Sequence, residues 1–455
     1  MNRCSPEFLS AAADIVGAQF LELAPRALRS GSRDCFHFSP VLTPLLDDCQ
    51  ADAIAFPASQ EELAALITLA VREQVPLTPR GGGTGNYGQG VPLHGGLMIN
   101  TRRMNRIIDL DADHARVEAG VNLWTIEQRA ADCGGELRMF PSTIGTSSAA
   151  GFITGGSGGI GSVNWGMLRD LDNVRGVSIL TIEEQPQRVE LGGQEALRDV
   201  LHNCGLTAFV TEVDFALAPR RDWQQYIFAA PDFATVVAAG AAAAADPALS
   251  KRLVSAFEWP IPSYFKPLVK REACPEGEAL LFLISDQDPD TVGAWMAERG
   301  LRNTYHQPAP ELPLGGKGFQ IYDFTWNHTT QWAMKFDPSL TYLQEGFDMA
   351  RLQEQLDLRK AKYGDSVQTH LEFVTDPESG AVRAAGLAVV RFENKDALWE
   401  LMAWSEENGI TIANPHTHYL DEDVRWYNPG MLTAKDRWDP QHLLNPGHLH
   451  ALEQA

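Results

Sequence analysis

The chain has 455 residues, 44% of them hydrophobic, and a formal net charge of −22. That length buries large cores and divides into two or three lobes. The acidity is spread along the chain, which argues against nucleic acid or any other polyanion as a partner. No stretch reaches the ~18–20 uncharged apolar residues of a membrane span, and residues 1–6 lack the apolar run of a secretory leader, so a cytoplasmic location is expected. The six cysteines, Cys4, Cys35, Cys49, Cys133, Cys204 and Cys274, form no CxxC pair and no zinc spacing, which predicts reduced thiols.

In chain order, the apolar positions from Phe8 to Leu23 predict a packing helix over 6–30. Arg33 to Pro40 reads as a loop, with His37 an ordinary loop histidine. A strand at 53–56 precedes a helix at 59–72, where Ser59 and Glu62 stand three apart as a capping box. The strand 75–78 feeds Pro79-Arg80-Gly81-Gly82-Gly83-Thr84-Gly85-Asn86-Tyr87-Gly88. Glycines there admit positive φ and clear side chains away from main-chain N–H donors, which suits a pyrophosphate, with Arg80 as a charge at the entrance. Strands follow at 96–100, 106–110 and 115–121, then a helix at 123–133.

A second glycine tract runs from Gly145 to Gly161. Its interleaved Phe152, Ile153 and Ile160 set it apart from a flexible linker. Two such tracts suggest a long ligand held against backbone from both sides. No GxGxxG opens a helix with an acidic residue about twenty positions on, so a nicotinamide cofactor on a Rossmann unit is disfavoured. Beyond 220, strands at 223–229, 280–284, 388–392 and 410–412 alternate with an alanine-rich helix at 238–245 and a helix at 395–408. No internal repeat is evident. This rhythm fits a ferredoxin-like sheet.

Several of these segments, taken together in order, carry a resemblance. Pro79 to Gly85, Gly95-Gly96-Leu97, Met104-Asn105-Arg106-Ile107, Val117-Glu118-Ala119-Gly120-Val121 and Pro141-Ser142-Thr143-Ile144-Gly145 resemble the flavin domain of the vanillyl-alcohol oxidase / p-cresol methylhydroxylase family. Gly205 to Val213 resembles that domain's last strand, and Asp439 to Gly447 its C-terminal signature. In style the chain is similar to the glycolate oxidase / D-lactate dehydrogenase branch. The resemblance implies an α+β fold: a two-subdomain FAD-binding domain of the p-cresol methylhydroxylase type with a ferredoxin-like α+β substrate cap. It implies a lead-in at 1–48, the FAD domain at 49–219, the cap at 220–430, and a return to the FAD domain at 431–455.

The same resemblance implies FAD contacts at Arg80, Gly81, Gly82, Gly83, Thr84, Gly85, Asn86, Pro141, Gly145, Thr146, Ser148, Gly151, Gly156, Gly159 and Gly161. Val210 would meet the adenine end and Asn445 the flavin ring. Branches that bond FAD covalently use a histidine where this chain has Thr84 and a cysteine near Pro141, so the FAD is expected to be noncovalent. His448 stands where the C-terminal signature often carries Lys.

Three polar clusters in the cap are candidates to reach the flavin: Tyr322 to His328, His370-Leu371-Glu372, and Asn414 to Tyr419. Hydride removal from an alcohol needs a base for the hydroxyl proton, and imidazole suits that role. His416 and His418 lead, with His370 and Tyr322 as further catalytic candidates and Arg391 as a clamp for a substrate carboxylate. His328 and His370 read equally as structural histidines. His416, His418, His370 and Glu372 also have the chemistry for a divalent metal, but the His-Gly-rich motif usual in the family is missing, so a metal is possible and not favoured. The expected activity is oxidation of a small hydroxy substrate, of the 2-hydroxy acid type, with electrons passing to a quinone, a carrier protein or O₂. Oxidation of phenolic or other alcohols, or a non-catalytic electron-transfer subunit, are the alternatives.

Overall fold

A computed structural model describes residues 1–156, 158–170, 172–309, 320–376, 379–422 and 428–453. Ser157, within the second glycine tract, lies outside the described residues.

The first layer is a four-stranded sheet in the order Leu21–Glu22, Ala53–Ala55, Leu97–Asn100, Leu77–Arg80, with the last three strands parallel. Parallel strands are covered on both faces, and these are short apolar runs accordingly. The helices Pro6–Val16 and Gln60–Glu73 bury Phe8, Ala12, Leu63, Leu66 and Ile67 against them. The expected helix over 6–30 is instead broken. Gly17 takes φ 86° after Val16, and a second helix, Pro25–Gly31, starts on a proline. The predicted capping box is half formed: Ser59 Oγ accepts from Glu62 N at 3.2 Å, but Glu62 Oε2 accepts from Ala58 N at 2.7 Å.

The second layer is an antiparallel sheet in the order Ile107–Leu110, His114–Glu118, Phe209–Pro219, Val174–Leu180, Arg188–Gly192, with Gly135–Leu137 also on Phe209–Pro219. The two glycine tracts lie between these sheets.

The third layer is an eight-stranded sheet in the order Arg302–Gln307, Gln224–Ala230, Ala279–Ser285, Leu253–Phe257, His370–Thr375, Val382–Gly386, Gln344–Phe347, Thr411–Ala413. The first four strands, with helices Phe233–Ala245 and Pro289–Ala297, make one βαββαβ unit. The other four, with helices Leu352–Tyr363 and Lys395–Glu407, make a second with the mirrored strand order. The units join where Ser255, Ala256 and Phe257 pair antiparallel with Glu372, Leu371 and His370. The ferredoxin-like expectation thus appears twice, and the expectation of no internal repeat is corrected. The repeat is topological: corresponding strands differ in length, as with the seven residues of Gln224–Ala230 against the four of Gln344–Phe347, so no sequence period marks it.

Arg252 ties this sheet to the second layer. Its guanidinium, 2% exposed, lies 3.2 Å from Glu127, 3.5 Å from Glu136 and 2.7 Å from the Leu137 carbonyl. Glu136 in turn accepts from Trp223 Nε1 at 2.9 Å.

Candidate functional site

A cavity of about 700 Å³ opens where the three layers meet. One end is the first glycine loop. Gly82 packs so closely on the backbone of Thr146 and Ser147 that a Cβ would collide with the Thr146 carbonyl. The two glycine tracts therefore touch each other as well as facing the cavity. None of the backbone N–H groups from 82 to 86 donates to another main-chain carbonyl among the described residues. Gly155, at the end of the helix Ala149–Gly155, faces open space: a Cβ there meets nothing within 4 Å. Convergent free N–H groups on a bare backbone form a cradle for an anion.

Arg80 is turned away from the role of an entrance charge. Its guanidinium donates to the Arg33 carbonyl and, at 3.3 Å, to the Gly90 carbonyl, and it lies beside Asp34. It braces the loop from within, where six glycines at 81–83, 85, 88 and 90 leave few side chains to hold the turn. Asp34 is buried on the cavity wall, and its carboxyl is pushed up to about 6 by burial, with Arg80 pulling the other way.

Thr84, Gly85, Asn86, Pro141, Thr146, Ser148, Gly151, Gly156 and Val210 line the cavity beside Arg80 and Gly81 to Gly83. Gly145, Gly159, Gly161 and Asn445 do not, and the reasons are local. Gly145 is exposed and gives its carbonyl to Asn122 Nδ2 at 3.0 Å. Gly159 and Gly161 lie against the carbonyls of Phe140 and Arg138, and Gly161 N donates to the Arg252 carbonyl at 2.8 Å, so they join the layers. Asn445 stands one layer back, where its Nδ2 donates to the carbonyls of Gln89 (2.7 Å) and Cys204 (2.9 Å), two lining residues. Nearby, the buried Lys435 bonds Asp439 and the carbonyls of Leu206 and Leu444, clasping the tail to the loop strand.

The far end of the cavity belongs to the cap. The helix Asn327–Phe336 brings Asn327, His328 and Gln331, with Trp326 just before it, and the second βαββαβ unit adds Gln344, Glu345, Gly346, Gly386, Thr411 and Ala413. Glu345 is bound at 2.6 Å through both oxygens by the fully buried Arg359. Burial pushes the His328 imidazole down to about 4, against the raising effect of the Asp323 carbonyl.

The five catalytic candidates from sequence stand elsewhere. His416 is 2% exposed, and both ring nitrogens are taken, by Ser39 Oγ (2.8 Å) and the Tyr342 carbonyl (2.9 Å). Its segment turns, so His418 does not share its face; that ring contacts Tyr419 and His448 behind the glycine loop. His370 is sealed at 0% exposure, stacked on Phe257 and 2.9 Å from Glu372. His370 and Glu372 do share a face, as their alternation predicts. Tyr322 packs its ring on Phe140. Arg391 is half exposed and paired with Asp337 and Ser339 at 3.1 Å. None of the five lines the cavity. Among the described residues, no group of three or more His, Cys, Asp or Glu stands together as a metal site.

Sequence reasoning missed Asp34, Cys35, His202 and Cys204 as lining residues. Asp34 and Cys35 stand in no motif, His202 and Cys204 fall just before the Gly205 to Val213 segment, and only the fold brings the four to the glycine loop. The thiols are inert there: burial pushes Cys35 up to about 11 and raises Cys204 further, so neither supplies a thiolate for covalent attachment.

Residues 51–189 match a family model described as an FAD binding domain. The chain carries an FAD-binding domain. It is 33% identical over 196 residues, 41% of this chain and 42% of the relative, to an uncharacterized FAD-linked oxidoreductase of Mycobacterium tuberculosis. It is 26% identical to the glycolate oxidase subunit GlcD of Bacillus subtilis over 39% of each chain. Identity to a D-lactate dehydrogenase of Anaerostipes hadrus is 26%, over 48% of this chain and 45% of the relative. The matches thus span less than half the length of these relatives. An alkyldihydroxyacetonephosphate synthase shares the fold, with a TM-score of 0.73 at 17% identity over 97% of this chain and 85% of that one. The fold is therefore α+β of the p-cresol methylhydroxylase type. The cavity fits the cofactor: the glycine cradle offers free N–H groups to a pyrophosphate. Asp34 Oδ2, Asn86 Nδ2, Trp326 Nε1 and Asn327 Oδ1, all on lining residues, are buried with no hydrogen-bond partner among the described residues. Among the described residues, no helix is long and apolar enough to cross a membrane.

Proposed function

We propose that this protein is an FAD-dependent oxidoreductase that oxidises a small hydroxy substrate, a 2-hydroxy acid, and passes the electrons to a quinone, a carrier protein or O₂. One observation carries the reading: a single cavity has a glycine cradle with free N–H groups at one end and an imidazole with three amides at the other. The similarity to a glycolate oxidase subunit and a D-lactate dehydrogenase supports the substrate class. Residues 49–219 and 431–455 hold FAD and 220–430 cap the substrate, with Asp34, Cys35 and Phe38 of the lead-in also on the cavity wall.

FAD, when bound, supplies the acceptor for a hydride taken from the carbon that bears the hydroxyl. The chain does the rest. His328 stands with its ring toward the Asp323 carbonyl, so the nitrogen bonded there keeps its proton and the other is a bare lone pair. That lone pair takes the hydroxyl proton as the C–H bond breaks. The amides of Asn327, Gln331 and Gln344 bind the substrate's oxygens, and the Trp326 indole excludes water. His328 therefore replaces His416 and His418 as the base. FAD is held noncovalently, through the backbone at 82–86 and the hydroxyls of Thr84, Ser147 and Ser148.

The indole of Trp326 and the ring of Phe38 on the cavity wall favour a second reading, oxidation of phenolic alcohols. Anaerobic mixing of the FAD-loaded protein with 2-hydroxy acids, sugar acids and phenolic alcohols decides. Bleaching of the flavin by hydroxy acids is expected; bleaching by phenols alone would replace the first reading with the second.

A further inference from the structure

Glu372 lies on the seam between the two βαββαβ units and is 1% exposed. Its oxygens accept from three separate segments. Oε1 takes Trp326 N at 2.8 Å and His370 Nε2 at 2.9 Å, and Oε2 takes Ser255 Oγ at 2.5 Å. A carboxylate this far from water is costly unless its lone pairs are filled, and here two fully buried side chains, Ser255 and His370, are spent on filling them.

The third donor is the unusual one. Trp326 takes φ 51° and ψ −142°, a conformation that a bulky side chain adopts only when its surroundings impose it. It is the N-cap of the helix Asn327–Phe336, yet its side chain makes no capping bond. The turn it forms aims the helix so that Asn327, His328 and Gln331 enter the cavity. Its indole reaches the other way, to the second glycine tract: a Cβ on Gly158 would stand 3.1 Å from Trp326 Cη2.

The geometry points to Glu372 as a positioning residue that, by holding the Trp326 N–H, sets how the indole and His328 stand over the glycine cradle. Ser255 and His370 hold the carboxylate in turn. Glu372 touches neither cradle nor cavity, so it acts only through Trp326. The inference rests on the reading of the cavity as a flavin and substrate site for its consequence, but the strut itself is a property of the chain.

Glu372→Ala, Glu372→Gln and Trp326→Gly, singly and with Glu372→Ala combined with Trp326→Gly, test it by FAD titration, visible circular dichroism of the bound flavin and thermal unfolding. Glu372→Ala is expected to weaken FAD binding about tenfold, the worth of one charge-assisted hydrogen bond, and to alter the flavin dichroism. Glu372→Gln keeps an acceptor for Trp326 N and is expected to restore most of both. Glycine takes φ 51° without strain and keeps the N–H that Glu372 holds, so Glu372→Ala is expected to cost as much in unfolding temperature in the Trp326→Gly chain as it does alone, while the flavin dichroism of the Trp326→Gly chain responds much less to it, because no indole is left to position. A flavin dichroism that changes as much with Glu372→Ala in the Trp326→Gly chain, or unaltered FAD affinity and dichroism in a folded Glu372→Ala chain, would overturn the inference. Should Glu372→Ala not fold, Ser255→Ala takes its place in the same cycle. A chain that binds no FAD at all would sink the cavity reading, while the unfolding temperatures of Glu372→Ala and Glu372→Gln would still decide the strut.

Discussion

At the residue scale, the difference between His328 and His416 is one of commitment. His416 has spent both nitrogens on Ser39 and Tyr342, whereas His328 lines the cavity and is hydrogen-bonded to the Asp323 carbonyl. His328→Gln is expected to retain the flavin spectrum while flavin reduction by substrate slows by roughly 10²- to 10⁴-fold, the usual worth of a general base. His416→Gln is expected to leave reduction unchanged and to cost about 1–3 kcal/mol in denaturant unfolding, since it orphans buried partners. As the proposed base, His328 acts in its neutral form. With its pKa lowered to about 4, kcat/KM is expected to be flat from pH 8 to 5 and to fall only as the pH approaches 4. A break near the ordinary histidine value of ~6.5 would contradict this assignment. The sequence marks both histidines as polar residues among aromatics, but commitment depends on partners such as Ser39, 377 positions from His416, which no local pattern reveals.

At the element scale, the first glycine loop is legible because the physical demand is local: bare N–H groups and close backbone contact leave glycine no substitute. The second tract is legible only in part. Gly151 and Gly156 face the cavity, whereas Gly159 and Gly161 are glycines because the carbonyls of Phe140 and Arg138 press on them. Composition does not separate these two causes, and substitution does. Gly155→Ala is expected to leave the chain as stable or slightly more so, since alanine favours a helix by up to about 1 kcal/mol, yet to weaken FAD binding in a fluorescence titration, because its methyl enters the cradle. Gly82→Ala is expected to lower the unfolding temperature as well, since its Cβ meets the Thr146 carbonyl. In the cap, the strands expected at 223–229, 280–284, 388–392 and 410–412 and the helix at 395–408 form at nearly those bounds, but the helix expected at 238–245 starts at Phe233, and Leu253–Phe257, Pro289–Ala297, Arg302–Gln307, Gln344–Phe347 and Leu352–Tyr363 carry no pattern strong enough to be expected. The duplication is not legible, because matching topology needs no matching residues.

At the scale of the whole molecule, burial couples stability to pH. The pKa values of His202, His328, His416 and His448 are all lowered by burial, to between about 3 and about 4. Each is then protonated in the unfolded chain but not in the folded one between pH ~6.5 and ~4. Stability falls in that window by about 1.4 kcal/mol per pH unit for every such histidine. Asp34 and Asp323, raised to about 6 by burial, bind protons in the folded state first and oppose this. Glu136, Asp199, Asp214 and Asp439 are also raised by burial and add to the opposition, and His37 and His306 are also lowered and add to the fall. The large displacements, four histidines against two carboxyls, predict an unfolding temperature that drops as the pH is lowered from 6.5 to 4; a rise would contradict the burial of these rings. The cap also holds buried charge. Arg359→Met leaves Glu345 unpaired on the cavity wall and is expected to cost about 3–5 kcal/mol by denaturant unfolding.

The most direct test of the whole account is an anaerobic titration of the FAD-reconstituted chain with 2-hydroxy acids, followed by the visible flavin absorbance. Flavin bands are expected to appear on reconstitution and to bleach stoichiometrically with a hydroxy acid, and His328→Gln is expected to bind FAD and to bleach far more slowly. Failure to take up FAD, or bleaching that proceeds at full rate in His328→Gln, would contradict the account.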